Sequence, residues 1–160
     1  MIDTPHITMT TAQHTALIHL KVSLDEMMQV FGPTVGELIA AVTAQGIAPA
    51  GPVFAHHLKI EHDTAGVPAH FDFELSVPVV TPVLPAGRMK PGQWSSMKVA
   101  RTIHHGPYEG LPDAWGEFMD WLQAEGLTPA PDLYESYVTG PHSDPDPKMW
   151  RTELTRPLLA

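Results

Sequence analysis

The sequence has no cysteine, which excludes disulfides, thiol catalysis and thiolate metal sites. Cations are scarce: nine Lys and Arg stand against 18 Asp and Glu, a formal charge of −9. With no basic patch to neutralise phosphates, nucleic acid is not expected as a partner, and neutral or cationic molecules are favoured by sign. No apolar run approaches the ~18 residues of a membrane span, and the first residues lack the basic-then-apolar pattern of a signal segment. The expectation is a cytoplasmic protein with no membrane segment. Glycine-rich phosphate loops, nucleophile elbows and Ser/His/Asp arrangements are missing too, so acyl and phosphoryl transfer have no support and no cofactor is expected.

What is present is globular. A chain of 160 residues that is 43% hydrophobic buries a sizeable core, read as one domain over residues 1–160. Seventeen prolines point to many short elements with hard stops. Residues 7–22 read as a first strand after a ragged start. Ser23 and Glu26 have the spacing of a capping box, and Met27, Phe31, Val35, Leu38, Ile39 and Val42 recur at helical steps. Gly32-Pro33 is expected to break that helix, leaving Pro33 to Gln45 as its main part, with Gly46 as the stop. Val53 to Ile60 and His70 to Val77 read as a hairpin, and residues 78–94 as a connector. A strand from Ser95 to His105, a helix bearing Leu111, Trp115, Phe118, Met119 and Leu122, a strand at Leu133 to Thr139 and a last strand at Met149 to Thr155 follow.

The two halves repeat. Gly46-Ile47-x-Pro49 matches Gly126-Leu127-x-Pro129 at an offset of 80, and Glu74-Leu75-x-x-Pro78 matches Glu153-Leu154-x-x-Pro157 at 79. The same shift brings Leu38 onto Phe118 and Val35 onto Trp115. The expected fold is α+β: duplicated β-α-β-β units, about 5–80 and 95–158, related by a pseudo-two-fold, forming a mostly antiparallel sheet with two main helices on one face.

The strand Leu133-Tyr134-Glu135-Ser136-Tyr137-Val138-Thr139 carries the oddest residue, a carboxylate among strand formers. Alternation puts Glu135 and Tyr137 on one face, roughly 6–7 Å apart along the strand. On a solvent-facing edge strand that acid is simply hydrated; buried, it needs a compensating cation or donor. Under the offset of 80, Glu135 corresponds to Ala55 and Tyr137 to His57, so a groove where the halves meet would hold a single acid with room beside it. His57 or His105 facing that groove is one reading; a core or surface role is the other. Tyr108, after Gly106-Pro107, either turns toward the groove or packs on the helix. Trp115, Phe118 and Met119 read as helix core, while Trp94 and Trp121 stay unassigned. The adjacent pairs His56-His57 and His104-His105 point to opposite faces and cannot chelate together, so no metal site is expected.

Residues 100–111 (Ala-Arg-Thr-Ile-His-His-Gly-Pro-Tyr-Glu-Gly-Leu), Ala114-Trp115, Gly126-Leu127, Tyr134-Glu135-Ser136-Tyr137, Asp146-Pro147 and Trp150-Arg151-Thr152-Glu153-Leu154-x-x-Pro157-Leu158 together resemble the GyrI-like (gyrase-inhibitor-like) small-molecule-binding domain. This domain is also the effector-binding half of multidrug-responsive AraC/MerR-type regulators. The resemblance implies the duplicated fold, a pocket between the halves for bulky, flat, often cationic compounds, Glu135 as its acid, and Tyr137, Tyr108 and Trp150 as its aromatic lining. It also implies two alternatives to drug sensing or sequestration. One is a hydrolase opening cyclopropane rings of DNA-alkylating natural products, with Glu135 and Tyr137 catalytic. The other is a gyrase-inhibitor-like module binding a protein. No helix-turn-helix is apparent in the sequence, so any transcription-factor or other protein partner stays unknown.

Overall fold

The computed structural model of the chain describes residues 2–141 and 143–159. Among them eight strands and two α-helices follow in the order β1 (His6–Met9), β2 (Gln13–Ser23), α1 (Leu24–Ala44), β3 (Phe54–His62), β4 (Pro68–Pro78), β5 (Lys90–Trp94), β6 (Lys98–His105), α2 (Leu111–Ala124), β7 (Leu133–Thr139) and β8 (Arg151–Pro157). The fold is α+β, and the pairings within each unit described below are antiparallel.

Contacts divide the chain into two compact units. The first is Ala12–Ser95; the second joins the N-terminal residues through Thr11 to Ser96 and everything after it. The first unit orders its strands β3-β4-β2-β5, and the second β7-β8-β6-β1. Residues 7–22, read as one strand, are therefore two. Thr10 causes the break: its amide donates to the Met97 carbonyl and its hydroxyl accepts from the Met97 amide, both at 2.9 Å. Those bonds tie β1 to β6, while β2 continues in the first unit. Residues 5–11, read with the first half, thus pack in the second unit. The expected connector 78–94 likewise contains β5, which pairs with Gln13–Leu17 despite Pro91. It lies at the end of its unit's strand order, where a missing N–H costs no ladder bond. Gly92 suits the close approach there: a Cβ would sit 2.5 Å from Leu17 Cδ2.

The capping box forms, with the Glu26 amide donating to Ser23 Oγ and the Ser23 amide to Glu26 Oε1. The expected break at Gly32-Pro33 does not occur; α1 runs through it. Both residues are exposed, so the carbonyl left without a donor faces water, and the buried side is carried by Thr34, Leu38 and Val42. By length and apolar composition α1 alone among the described helices could cross a membrane. One face of it, Thr34, Leu38 and Val42, is buried, and the helix packs against β2 and β4. In the second unit, Ala114, Phe118 and Leu122 of α2 lie on Ala100 and Leu154. Gly46 and Gly126 end the two helices with φ of 71° and 70°, the left-handed conformation that glycine adopts without strain.

The ladders repeat position by position. In the first unit, Ile18–Leu75–Ala55 and Leu20–Phe73–His57 form two rows across three strands. In the second, the same rows read Thr102–Leu154–Glu135 and His104–Thr152–Tyr137. Since Leu154 packs under α2, both second-unit rows lie on the helix-covered face.

Candidate ligand-binding site

Glu135 stands half-buried on that face, and α2 supplies its first partner. Phe118, fully buried, holds the Trp115 ring at 5.8 Å, and Trp115 Nε1–H donates to Glu135 Oε2 at 2.7 Å. Tyr137 Oη–H donates to the other oxygen, Oε1, at 3.0 Å. A carboxylate on a covered face is tolerable because both oxygens accept bonds. In the first unit the equivalent positions are Val35 and Ala55, both apolar.

A turn brings in the remaining rings. Gly106, at φ 120°, leaves β6 in a conformation closed to other residues, and its amide donates to the Trp150 carbonyl at 3.0 Å. Pro107 then leads into a 3-10 turn, Tyr108–Gly110. Tyr108 lies edge-on to Tyr137, with centroids 5.8 Å apart, and 5.0 Å from Trp150. Trp150 is itself fixed by its indole N–H, which donates to the Asp144 carbonyl at 2.8 Å. One acid and four aromatic residues are thus gathered in a single unit.

Burial first, then the Glu135 charge and the hydrogen bond to it, push the Tyr137 phenol well above its ordinary value of 10. Tyr108 is raised by burial and then by the same charge. The folded-state value of Tyr137 lies above the unfolded one, so its contribution is complete below pH 10 and is lost as pH rises further. Above about pH 10, unfolding free energies of the wild type should therefore fall more steeply than those of Tyr137→Phe. The difference can reach about 1.4 kcal/mol per pH unit. Equal slopes in denaturant titrations across that range would contradict the assignment.

Of the other residues singled out in the sequence, Ala55 is fully buried in the first unit. His57, also buried there, lies 5.1 Å from Phe73 and 5.8 Å from Phe71. His105 falls on the face opposite Glu135, with Nε2 2.6 Å from Asp3 Oδ1. Its neighbour His104 is the histidine on the Glu135 face. Glu153 also lies on the opposite face, 3.4 Å from Arg101 Nε. No cluster among the described residues is arranged to hold a metal ion. Trp115, read as core, proves to be a partner of the acid. The signal was in the repeat, where Val35→Trp115 and Ala55→Glu135 are paired differences at facing positions.

A family model described as the GyrI-like small-molecule-binding domain matches residues 3–159. Among solved structures, the EcmrR C-terminal domain is 19% identical with a TM-score of 0.82, the match covering 98% of this chain and 97% of that one. EcmrR in its complex with DNA gives a TM-score of 0.84 at 19% identity, covering 97% of this chain but 57% of the EcmrR chain. SAV2435 bound to tetraphenylphosphonium gives 0.62 at 10% identity, covering 99% and 95%. A hydrolase from Listeria innocua gives 0.63 at 13%, covering 97% and 91%. None of the curated proteins compared matches the chain.

Proposed function

Because the chain belongs to the GyrI-like family of small-molecule-binding domains, we propose that it binds bulky aromatic cations against the Glu135 face of its second unit. The carrying observation is one carboxylate held among Trp115, Tyr137, Tyr108 and Trp150, at a position where the sister unit has alanine. Glu135 balances the charge, and the rings of Tyr108, Tyr137 and Trp150 add stacking and cation–π contact, about 0.5–2 kcal/mol each. Rings and acid together suit a delocalised, weakly hydrated cation, which loses little hydration on leaving water. A neighbour in fold, SAV2435, is known bound to tetraphenylphosphonium, a cation of that kind. Drug or toxin sensing and sequestration are the roles such binding serves.

Calorimetric titration with tetraphenylphosphonium tests the proposal. A Kd in the micromolar range, roughly −8 kcal/mol, is expected. Absence of heat and of any tryptophan fluorescence change at millimolar ligand would remove it.

Hydrolysis is the second reading, supported by the acid–phenol pair and by the fold shared with the Listeria hydrolase. Against it, both Glu135 oxygens are engaged as acceptors, which suits a counter-charge better than a base awaiting a proton. Ring-opened product from a spirocyclopropane alkylator would favour it.

A further inference from the structure

The second unit's ladder carries a run of polar residues in the rows that lead to Glu135 and Tyr137. Where the first unit has Ile18, Leu20 and Phe73, the second has Thr102, His104 and Thr152, at 1%, 2% and 0% exposure. Thr102 is satisfied by donating to the Asp3 carbonyl at 2.7 Å. The other two are not. Thr152 Oγ1 and His104 Nδ1 are buried without hydrogen-bond partners among the described residues. They belong to directly opposed residues on β6 and β8, so their Cβ atoms stand about 5 Å apart. Tyr137 is opposed to Thr152 on the other side, continuing the row to the acid.

The helices differ where this matters. In the first unit α1 begins seven residues earlier, by the offset of 80, than α2 does in the second, and its Phe31 stacks on Phe73 at 6.4 Å. In the second unit those seven positions are the end of β6 and the Gly106–Gly110 turn bearing Tyr108, Leu111 stands at the Phe31 position, and threonine replaces Phe73. A large ring has thus been exchanged for a small hydroxyl, in the row that continues to Tyr137.

The chemistry of the pair selects a ligand group. His104 Nε2 lies 3.0 Å from the Pro107 carbonyl, which can only accept, so Nε2 carries the proton and donates. In the neutral ring Nδ1 is then an acceptor. Thr152 Oγ1–H is free to donate. One group answers both: a hydroxyl gives its hydrogen to Nδ1 and takes one from Thr152.

Resting on the proposed binding of aromatic cations, we infer that Thr152 and His104 form a hydroxyl-recognising subsite beside the Glu135 cage. Ligands with a hydroxyl on the aromatic body, distal to the cationic centre, are thereby preferred over unsubstituted ones. An unmet buried polar atom is costly, and a ligand that meets two of them regains that cost on binding.

The test uses a matched pair, tetraphenylphosphonium and (4-hydroxyphenyl)triphenylphosphonium, titrated into the whole chain. The hydroxyl compound should bind the wild type about tenfold tighter. In Thr152→Val, which keeps the shape and removes the donor, the ratio of the two Kd values should fall to about one. His104→Leu, which installs the residue of the sister position, should do the same and serves if the first variant does not fold. Equal affinities in the wild type, or a preference that survives in either folded variant, would overturn the subsite while leaving cation binding standing. Failure of both compounds to bind the wild type would overturn the subsite together with the reading on which it rests.

Discussion

Glu135→Gln should weaken tetraphenylphosphonium binding roughly thirtyfold, about 2 kcal/mol, the scale of attraction between opposite charges several ångströms apart at a partly exposed site. The substitution isolates charge. Trp115 Nε1–H can still donate to the amide oxygen, and Tyr137, whose hydroxyl both donates and accepts, can turn to accept from the amide NH2. Unfolding free energy should therefore change by less than about 1 kcal/mol. Glu135→Ala is the contrasting case, because it leaves Trp115 Nε1 and the Tyr137 hydroxyl without that acceptor and should lower stability as well. Measured side by side by calorimetry and urea denaturation, the two variants separate counter-charge from scaffolding. An affinity unchanged in Glu135→Gln would contradict the electrostatic account.

The largest stability effect is expected at Phe118. It is fully buried among Ala100, Ala114, Leu122 and Leu154 and supports the Trp115 ring. Phe118→Ala should cost about 3–5 kcal/mol, a large share of the 5–15 kcal/mol typical of a folded domain. The cost combines lost apolar burial with a cavity that a small core beside a sheet cannot close. A downward shift of the urea midpoint with little change in slope is the expected readout. Because Trp115 leans on Phe118, ligand affinity should drop in parallel. A variant of near wild-type stability would mean that α2 is not seated as described.

Much of this arrangement was legible in the sequence because the chain repeats itself. Stop signals at Gly46 and Gly126, the helical stripes and the Glu135 strand all follow from local pattern, and the ladder register reproduces the offsets of 79 and 80. Local pattern misled where tertiary context decided. Pro33 reads as a helix breaker until its solvent-facing position is known. Pro91 and Gly92 read as a loop, although an edge strand accommodates both. The division of residues 7–22 depends on Thr10 bonding to Met97, a partner 87 residues away that no periodicity reveals. At the site, the strand pattern and the family resemblance singled out Glu135, Tyr137, Tyr108 and Trp150, four residues that the second unit brings together. His105 was read as a candidate for the groove, but the register puts His104 on the Glu135 face, because that depends on which face of β6 meets the row of Glu135. Trp115 was hidden by its own suitability as core, since its bond to the acid depends on helix and strand lying face to face.

In the proposed function, the fixed negative charge of Glu135 among aromatic rings selects the ligand. Titrating the wild-type chain with tetraphenylphosphonium and with tetraphenylborate, ions of nearly the same shape and opposite sign, tests it most directly. The cation should bind with micromolar affinity, and the anion at least about a hundredfold more weakly. Comparable binding of both ions would show that hydrophobic shape alone governs the site and that Glu135 plays no part in selection.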